Sequence, residues 1–254
     1  MKHTVWNRVL FFGLSLIFGA AAAVLMGRAM VIGYDRRGLF VWSTPEAMLA
    51  VAVAVVYAVV LGILTRTRIR PSAQYEQLFP RGWFRGSLMA LGGAILALDL
   101  YYALEPSASQ LAALPPSLAR MEQMVKLLGY VAAGCMAVCG VYVILGTRPR
   151  SVFHGIVCVY AVADLLLCYR SWGASAHLEQ YAFSMLSSIL LMLYSVHRCA
   201  ADAGVIRRRQ LVLTGFGAVF CSLAALGDPT DKVFYLAVIF WIFGSMCTVD
   251  DPEK

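Results

Sequence analysis

Long apolar runs alternate with short polar connections along the whole chain, and this pattern predicts helices that cross a bilayer. A helix needs about 20 mainly apolar residues to cross the hydrocarbon core. About eight such runs occupy most of the 254 residues, so the pattern predicts one all-α, polytopic membrane helical bundle over residues 1–254. The predicted transmembrane segments are Val9–Met26, Ala47–Leu64, Gly86–Leu104, Met124–Leu145, Val152–Leu167, Tyr181–Val196, Leu211–Leu226 and Val233–Val249.

The first run also has features of a secretory signal. Lys2 and Arg8 precede it, and the alanines at 20–22 could form a cleavage site. The apolar run continues through Met26, however, and Arg28 follows it. A retained first helix is the favoured interpretation.

The composition agrees with a membrane protein, since 61% of residues are hydrophobic and 14% are charged. Soluble domains carry roughly 25% charged residues. The net charge of +7 could suggest nucleic-acid binding, but the basic residues lie at the ends of apolar segments. There they contact lipid head groups and set orientation. The predicted partner is therefore the lipid bilayer, with no role for nucleic acid.

The distribution of basic residues predicts the topology. The 21 Lys and Arg residues divide 14 to 7 between alternate sides of the eight segments. Cytoplasmic connections carry the excess of Lys and Arg in membrane proteins. Both termini are therefore expected in the cytoplasm, which agrees with an even number of helices.

Small residues at four-residue spacing predict which helix faces pack closely. Such stripes let helix backbones approach each other where lipid provides no hydrophobic driving force. The stripes are Ser15, Gly19, Ala23 and Gly27 on the first helix, Ala50, Ala54, Ala58 and Gly62 on the second, and Gly129, Ala133 and Ala137 on the fourth.

Two aspartates, Asp99 and Asp164, are the acids placed well inside the predicted segments. A carboxylate at that depth usually faces the bundle interior and has a partner. Lys126 has a matching depth on the helix that follows Asp99, so these two residues are predicted to pair. The partners predicted for Asp164 are Tyr160, Ser184, Ser187 or Ser188. A proton- or cation-responsive site and a structural clamp both fit these residues, and Asp164 is the stronger functional candidate.

Cysteine and histidine spacing raises the possibility of a metal site. Cys135 and Cys139 lie one helical turn apart, as do His154 and Cys158, and soft ligands of this kind suit zinc or copper(I). Nothing in the sequence orients the two pairs towards each other, so ordinary packing is favoured and no metal or cofactor is predicted.

Motifs of the common hydrolases are missing from the sequence. It contains no H-E-x-x-H, no G-x-S-x-G and no G-x-x-x-x-G-K-[ST]. Asp164 follows Val162 and Ala163, and so lacks the Gly-x-Gly-Asp of intramembrane aspartyl proteases. The protein is not expected to be an enzyme.

The segments Tyr169–Trp172, Gln180–Phe183 and Leu190–Ala201 resemble uncharacterised multi-pass proteins of bacterial genomes. The resemblance implies no activity, but it favours the cytoplasmic membrane of a bacterium. The leading functional hypothesis is movement of a small solute or ion, coupled to protons through Asp164. The alternative is a non-transporting accessory protein that binds or stabilises a membrane partner.

Overall fold

Helices are the regular secondary structure of the described residues, with no strand among them, which confirms the predicted all-α bundle. The computed structural model describes residues 2–33, 41, 43–69, 79, 81–102, 116–172, 181–228 and 232–246. Its helices are α1 Lys2–Ile32, α2 Pro45–Arg68, α3 Trp83–Tyr102, α4 Pro116–Leu145, α5 Ser151–Trp172, α6 Ala182–Asp202, α7 Arg208–Ala225 and α8 Lys232–Ser245.

The helices divide by length and burial into two groups. Helices α1 to α6 are long and apolar enough to cross a membrane, and each exposes large apolar side chains along its outer side. Helix α8 has 14 residues, so it spans about 21 Å at 1.5 Å per residue. Most residues of α7 and α8 are buried against other helices. These two helices form the protein-facing interior of a multi-pass membrane protein.

Helices α3 to α8 close a ring. Each packs on the next in chain order, and α8 returns to pack on α3 and α4. Helix α1 packs on α7 and α2, and α2 also contacts α7. The α1–α2 pair thus packs on the ring mainly through α7, with Phe12 of α1 also against Phe243 of α8, and α6 runs between α5 and α7.

Glycine permits the close crossing of α3 and α4. A Cβ atom on Gly86 would lie 2.4 Å from the Gly140 carbonyl oxygen, and one on Gly93 would lie 2.6 Å from the Ala133 oxygen. The α4 stripe therefore packs where the sequence predicts. A side chain at Gly86 or Gly140 would force the two backbones apart.

The stripe on α1 packs as predicted at Ser15 and Gly19, whereas the stripe on α2 packs only in its first half, where Ala50 is buried and Ala54 contacts the core. A Cβ atom on Gly19 would lie 2.7 Å from Leu223 of α7. On α2, Ala58 is exposed and Gly62 has no neighbour within 4 Å. The buried face of α2 also contains Tyr57. Its hydroxyl donates a hydrogen bond to the Phe216 carbonyl oxygen at 3.0 Å.

Arginine side chains bind the carboxyl-terminal ends of the even-numbered helices. The last carbonyl groups of a helix have no partner within the helix and carry partial negative charge. The pairs are Arg209 with the Arg66 oxygen of α2 and the Ile69 oxygen just beyond it, Arg81 with the Ile144 oxygen of α4, Arg148 with the Ala201 oxygen of α6, and Arg85 with the Gly244 oxygen of α8 and the Met246 oxygen just beyond it. We call this side of the bundle the basic face. Its arginines cap helices, a role that the topological interpretation of the charge did not include.

Candidate functional site

Helix α6 carries a buried polar face over almost its whole length. Its residues recur at spacings of three and four, so they lie on one side of the helix. Leu186, Leu193 and Val196 on the other side are exposed. The buried polar residues, which we call the α6 seam, are Ser184, Ser187, Ser188, Tyr194, Ser195, Arg198 and Asp202.

At the end opposite the basic face, Asp228 caps α6. Its Oδ2 atom accepts hydrogen bonds from the Ser184 backbone N–H at 3.0 Å and from the Ser184 hydroxyl at 2.7 Å. Tyr181, at the N-cap position, makes no side-chain capping bond. Asp228 belongs to the turn after α7 and is 2% exposed. It therefore supplies from another helix the cap that α6 lacks in its own sequence.

Hydroxyl groups continue the seam towards the middle of α6. The Ser187 hydroxyl lies 2.7 Å from the Ser222 hydroxyl of α7. Ser188 donates to the Ser184 carbonyl oxygen at 3.3 Å. One turn further along α6, Leu191 interrupts the polar residues, and its side chain is 3% exposed.

A small apolar cavity lies beside Leu191 at the centre of the ring. Its volume is about 10 Å³, which is close to the minimum that holds one water molecule. The lining residues are Leu96, Met136, Val157, Tyr160, Leu191, Phe234, Ala237, Val238 and Trp241. Apolar side chains therefore close the α6 seam at the position of Leu191.

Several buried polar atoms beyond Leu191 have no hydrogen-bond partner among the described residues. They include the Ser195 hydroxyl, Nε2 of His154 and the indole Nε1 of Trp241. The His154 and Trp241 rings are near each other, with centroids 5.6 Å apart. This half of the bundle therefore contains unsatisfied polar atoms, and one of them, the Trp241 indole N–H, belongs to a residue that lines the cavity.

The seam ends near the basic face in a buried ionic network. Asp202 lies 2.7 Å from Nδ1 of His154 on α5 and 3.3 Å from Nη1 of Arg198. The Arg198 guanidinium stacks 3.5 Å above the Phe79 ring, and all three ionisable side chains are excluded from the surface. The short distance places Nδ1 of His154 against the Asp202 carboxylate, and Nε2 has no hydrogen-bond partner among the described residues.

The sequence-predicted site residues do not meet in one place. Ser184 and Ser188 lie in the seam, and Tyr160 lines the cavity and packs on Phe234. Asp164, one turn from Tyr160, is only partly buried, and the lining of the cavity includes neither Asp164 nor Asp99.

Lys126 lies 2.7 Å from Glu122 on its own helix. Asp99 is partly buried on α3, the helix that packs on α4. The Asp99–Lys126 pair remains a prediction.

The structure brings one residue of each His and Cys pair together. The Cys139 sulfur lies 3.9 Å from Nδ1 of His154, the nitrogen that Asp202 engages. Across the part of the chain that the structure describes, no three His, Cys, Asp or Glu side chains are placed to hold a metal ion.

Sequence reasoning missed Arg198, Asp202 and Asp228, and it considered His154 only as a metal ligand. One signal was present, since Arg198 and Asp202 have the i, i+4 spacing of an ion pair on a helix. Asp228 gave no such signal, because it follows Gly227 in what resembles an ordinary turn.

No protein-family model matches this chain, and no curated protein or solved structure matches it. The chemistry of the α6 seam is therefore inferred from its own geometry.

Proposed function

We propose that this multi-pass membrane protein moves a small solute or ion across the bilayer in a process coupled to protons, along the α6 seam. The observation that carries this proposal is the buried polar face of α6, with an acid at each end. Polar and ionisable groups inside a membrane protein are costly and commonly mark ion or substrate pathways. A bundle that only needed to pack could fill this face with apolar side chains.

The proposed path has two polar halves and a barrier between them. Asp228, Ser184 and the Ser187–Ser222 pair form one half. The network of Arg198, Asp202 and His154 forms the other. From Ser188 to Ser195 the helix rises about 10 Å, and Leu191 lies between them. Movement along the seam requires this barrier to open or to hydrate.

Asp164 stays a second candidate for the coupling carboxylate. It lies one turn from Tyr160, whose ring borders the cavity beside Leu191. Asp228 is the better-supported group, because its hydrogen bonds connect it directly to the seam.

A non-transporting accessory protein is the alternative function. The small size and apolar lining of the central cavity favour it, since a solute needs a wider and more polar passage. In that case the seam would only clamp α6 against its neighbours. Neither function includes a catalysed reaction.

The seam is tested by two matched serine variants. Ser187 and Ser15 are both fully buried, and each hydroxyl lies 2.7 Å from a partner hydroxyl, on Ser222 and Tyr57 respectively. Ser15 belongs to the α1–α2 pair and lies off the seam. We expect Ser187→Ala to lower proton flux about tenfold, a barrier change of about 1.4 kcal/mol, and Ser15→Ala to leave it near the wild-type value.

The measurement uses proteoliposomes with an imposed pH gradient and an internal pH-sensitive dye. Amino acids, organic acids and monovalent cations are supplied in turn, so that strictly coupled transport is also detected. Wild-type protein that dissipates the gradient no faster than empty vesicles under every condition would contradict the proposal and favour the accessory role. Equal flux in the two variants would remove the seam from the path.

We further propose that the protein lies in the cytoplasmic membrane of a bacterium, with the basic face and both termini in the cytoplasm. The 14 to 7 division of Lys and Arg supports this orientation. A reporter that is active only in the cytoplasm, fused after Lys254, should be active, and one inserted between Asp35 and Arg36 should be inactive. If the first reporter is inactive and the second is active, the basic face and both termini lie outside the cytoplasm.

A further inference from the structure

We infer that Asp228 is a proton-binding site at the end of the α6 seam opposite the basic face, and that Oδ1 is the atom that takes up the proton. The role of this site in transport rests on the proposed function, whereas proton binding itself is measurable without transport. The inference depends on the different environments of the two carboxylate oxygens.

The two oxygens of Asp228 have separate tasks. Oδ2 accepts both hydrogen bonds from Ser184 and caps α6. Oδ1 is buried and has no hydrogen-bond partner among the described residues. A buried oxygen that carries negative charge without a donor is costly. Protonation of Oδ1 removes the charge while Oδ2 continues to accept both bonds, so α6 keeps its cap in both states.

The groups around Asp228 do not neutralise its charge. Within the described ranges, no Lys, Arg or His nitrogen forms an ion pair with it. The neighbouring charged residues at this end, Arg28 on α1 and Lys232 on α8, are both exposed. On α7 the Cys221 thiol interacts electrostatically with this carboxylate, and Tyr181 is the residue that directly precedes α6.

Packing also isolates this carboxylate from water. The preceding residue, Gly227, crosses α1 so closely that an added Cβ atom would lie 2.4 Å from the Ala23 carbonyl oxygen. The backbone N–H of Asp228 donates to the Ala225 oxygen at 3.0 Å, which fixes the turn at the end of α7. The carboxylate is thus held in place between α1, α6 and α7.

Proton affinity near neutral pH agrees with this geometry. Burial raises the pKa of the Asp228 carboxyl to about 7, and the two hydrogen bonds from Ser184 offset part of the rise. An exposed aspartate titrates near about 3.9. The site would therefore exchange protons in the range where transmembrane pH gradients operate.

Asp228→Asn is the informative variant, because its amide oxygen can accept the Ser184 bonds while its NH₂ group replaces protonated Oδ1. We expect infrared pH titration in lipid nanodiscs to show a carboxylic-acid C=O band in the wild type with a midpoint near about 7. Asp228→Asn should lose the part of this band that Asp228 contributes, whereas the contribution of another partly buried carboxyl such as Asp164 should remain. In Ser184→Ala it should persist with a higher midpoint, because the variant removes a hydrogen bond that favours the charged form.

Several results would overturn the inference. One is a band that is unchanged in Asp228→Asn. Another is a midpoint in Ser184→Ala that stays at the wild-type value, which tests the site even if Asp228→Asn does not fold. A third is a midpoint that falls when choline is replaced by sodium in the buffer, since Oδ1 would then bind a metal cation. If Asp228 titrates but the protein shows no proton flux, the proposed function is rejected and the proton-binding site still stands.

The pH dependence of stability gives a second measurement. As the pH falls from about 7 towards about 4, the folded wild type binds a proton that the unfolded chain does not bind, so its stability increases. Asp228→Asn lacks this contribution. The variant should therefore melt above the wild type at pH 8, and its advantage should shrink at pH 5. A constant difference between the two proteins would contradict proton binding at Asp228.

Discussion

Replacing Asp202 with Leu is expected to destabilise the protein by about 3–5 kcal/mol, because it leaves the buried Arg198 without its carboxylate. The side chains of Arg198, Asp202 and His154 are almost completely excluded from the surface. The unfolded chain can hydrate the Arg198 guanidinium, whereas the folded variant cannot provide it with an equivalent partner. Reversible unfolding in mixed micelles measures the loss.

Two further variants separate the ion pair from simple packing. The double variant Arg198→Met/Asp202→Leu should recover part of the loss, since two apolar side chains remove both buried charges. Glu122→Leu is the matched control, because Glu122 and Lys126 form a pair of the same i, i+4 spacing that is partly exposed. We expect that control to cost about 0–1 kcal/mol. If the double variant loses as much stability as Asp202→Leu and Arg198→Met lose together when each is measured alone, the buried network is not coupled.

The sequence predicted the helices well because the bilayer imposes a length of apolar residues on each helix that crosses it. Among the described residues, however, six of the eight helices, not all, are long and apolar enough to cross. All eight predicted segments correspond to helices α1 to α8. The ends of the helices were less predictable. Helix α4 begins at Pro116, two turns before the predicted Met124, and α6 ends at Asp202, beyond the predicted Val196. Polar residues end an apolar run in sequence, but they continue a helix when neighbouring helices bury them.

The candidate site was predictable only in part. The residue pattern of one helix does not indicate which residues of another helix its side chains contact. Ser184 and Ser188 were selected for their place on α6 and were expected to meet Asp164. The carboxylate that Ser184 binds is Asp228, which sequence reasoning assigned to a connection. The same limitation applies to His154, since its partner Asp202 lies 48 positions away in the chain.

Leu191→Ser is expected to increase proton flux through the bundle by about tenfold, a barrier change of about 1.4 kcal/mol. Leu191 is the apolar interruption in the α6 seam and borders a cavity of about 10 Å³. The shorter side chain enlarges that cavity, and its hydroxyl gives a water molecule a polar partner. The unsatisfied Ser195 hydroxyl and His154 Nε2 lie on the basic-face side of this position. Hydration would therefore connect the two halves of the seam.

Leu61→Ser provides the matched control, because Leu61 is 5% exposed on α2 and lies off the seam. Both substitutions shorten a buried leucine, so both should lower stability by a similar amount. The most direct test of the central claim is the rate at which wild type, Leu191→Ser and Leu61→Ser dissipate a pH gradient across proteoliposomes. Movement of protons along the α6 seam predicts a faster rate in Leu191→Ser alone. Equal rates in Leu191→Ser and Leu61→Ser would contradict it.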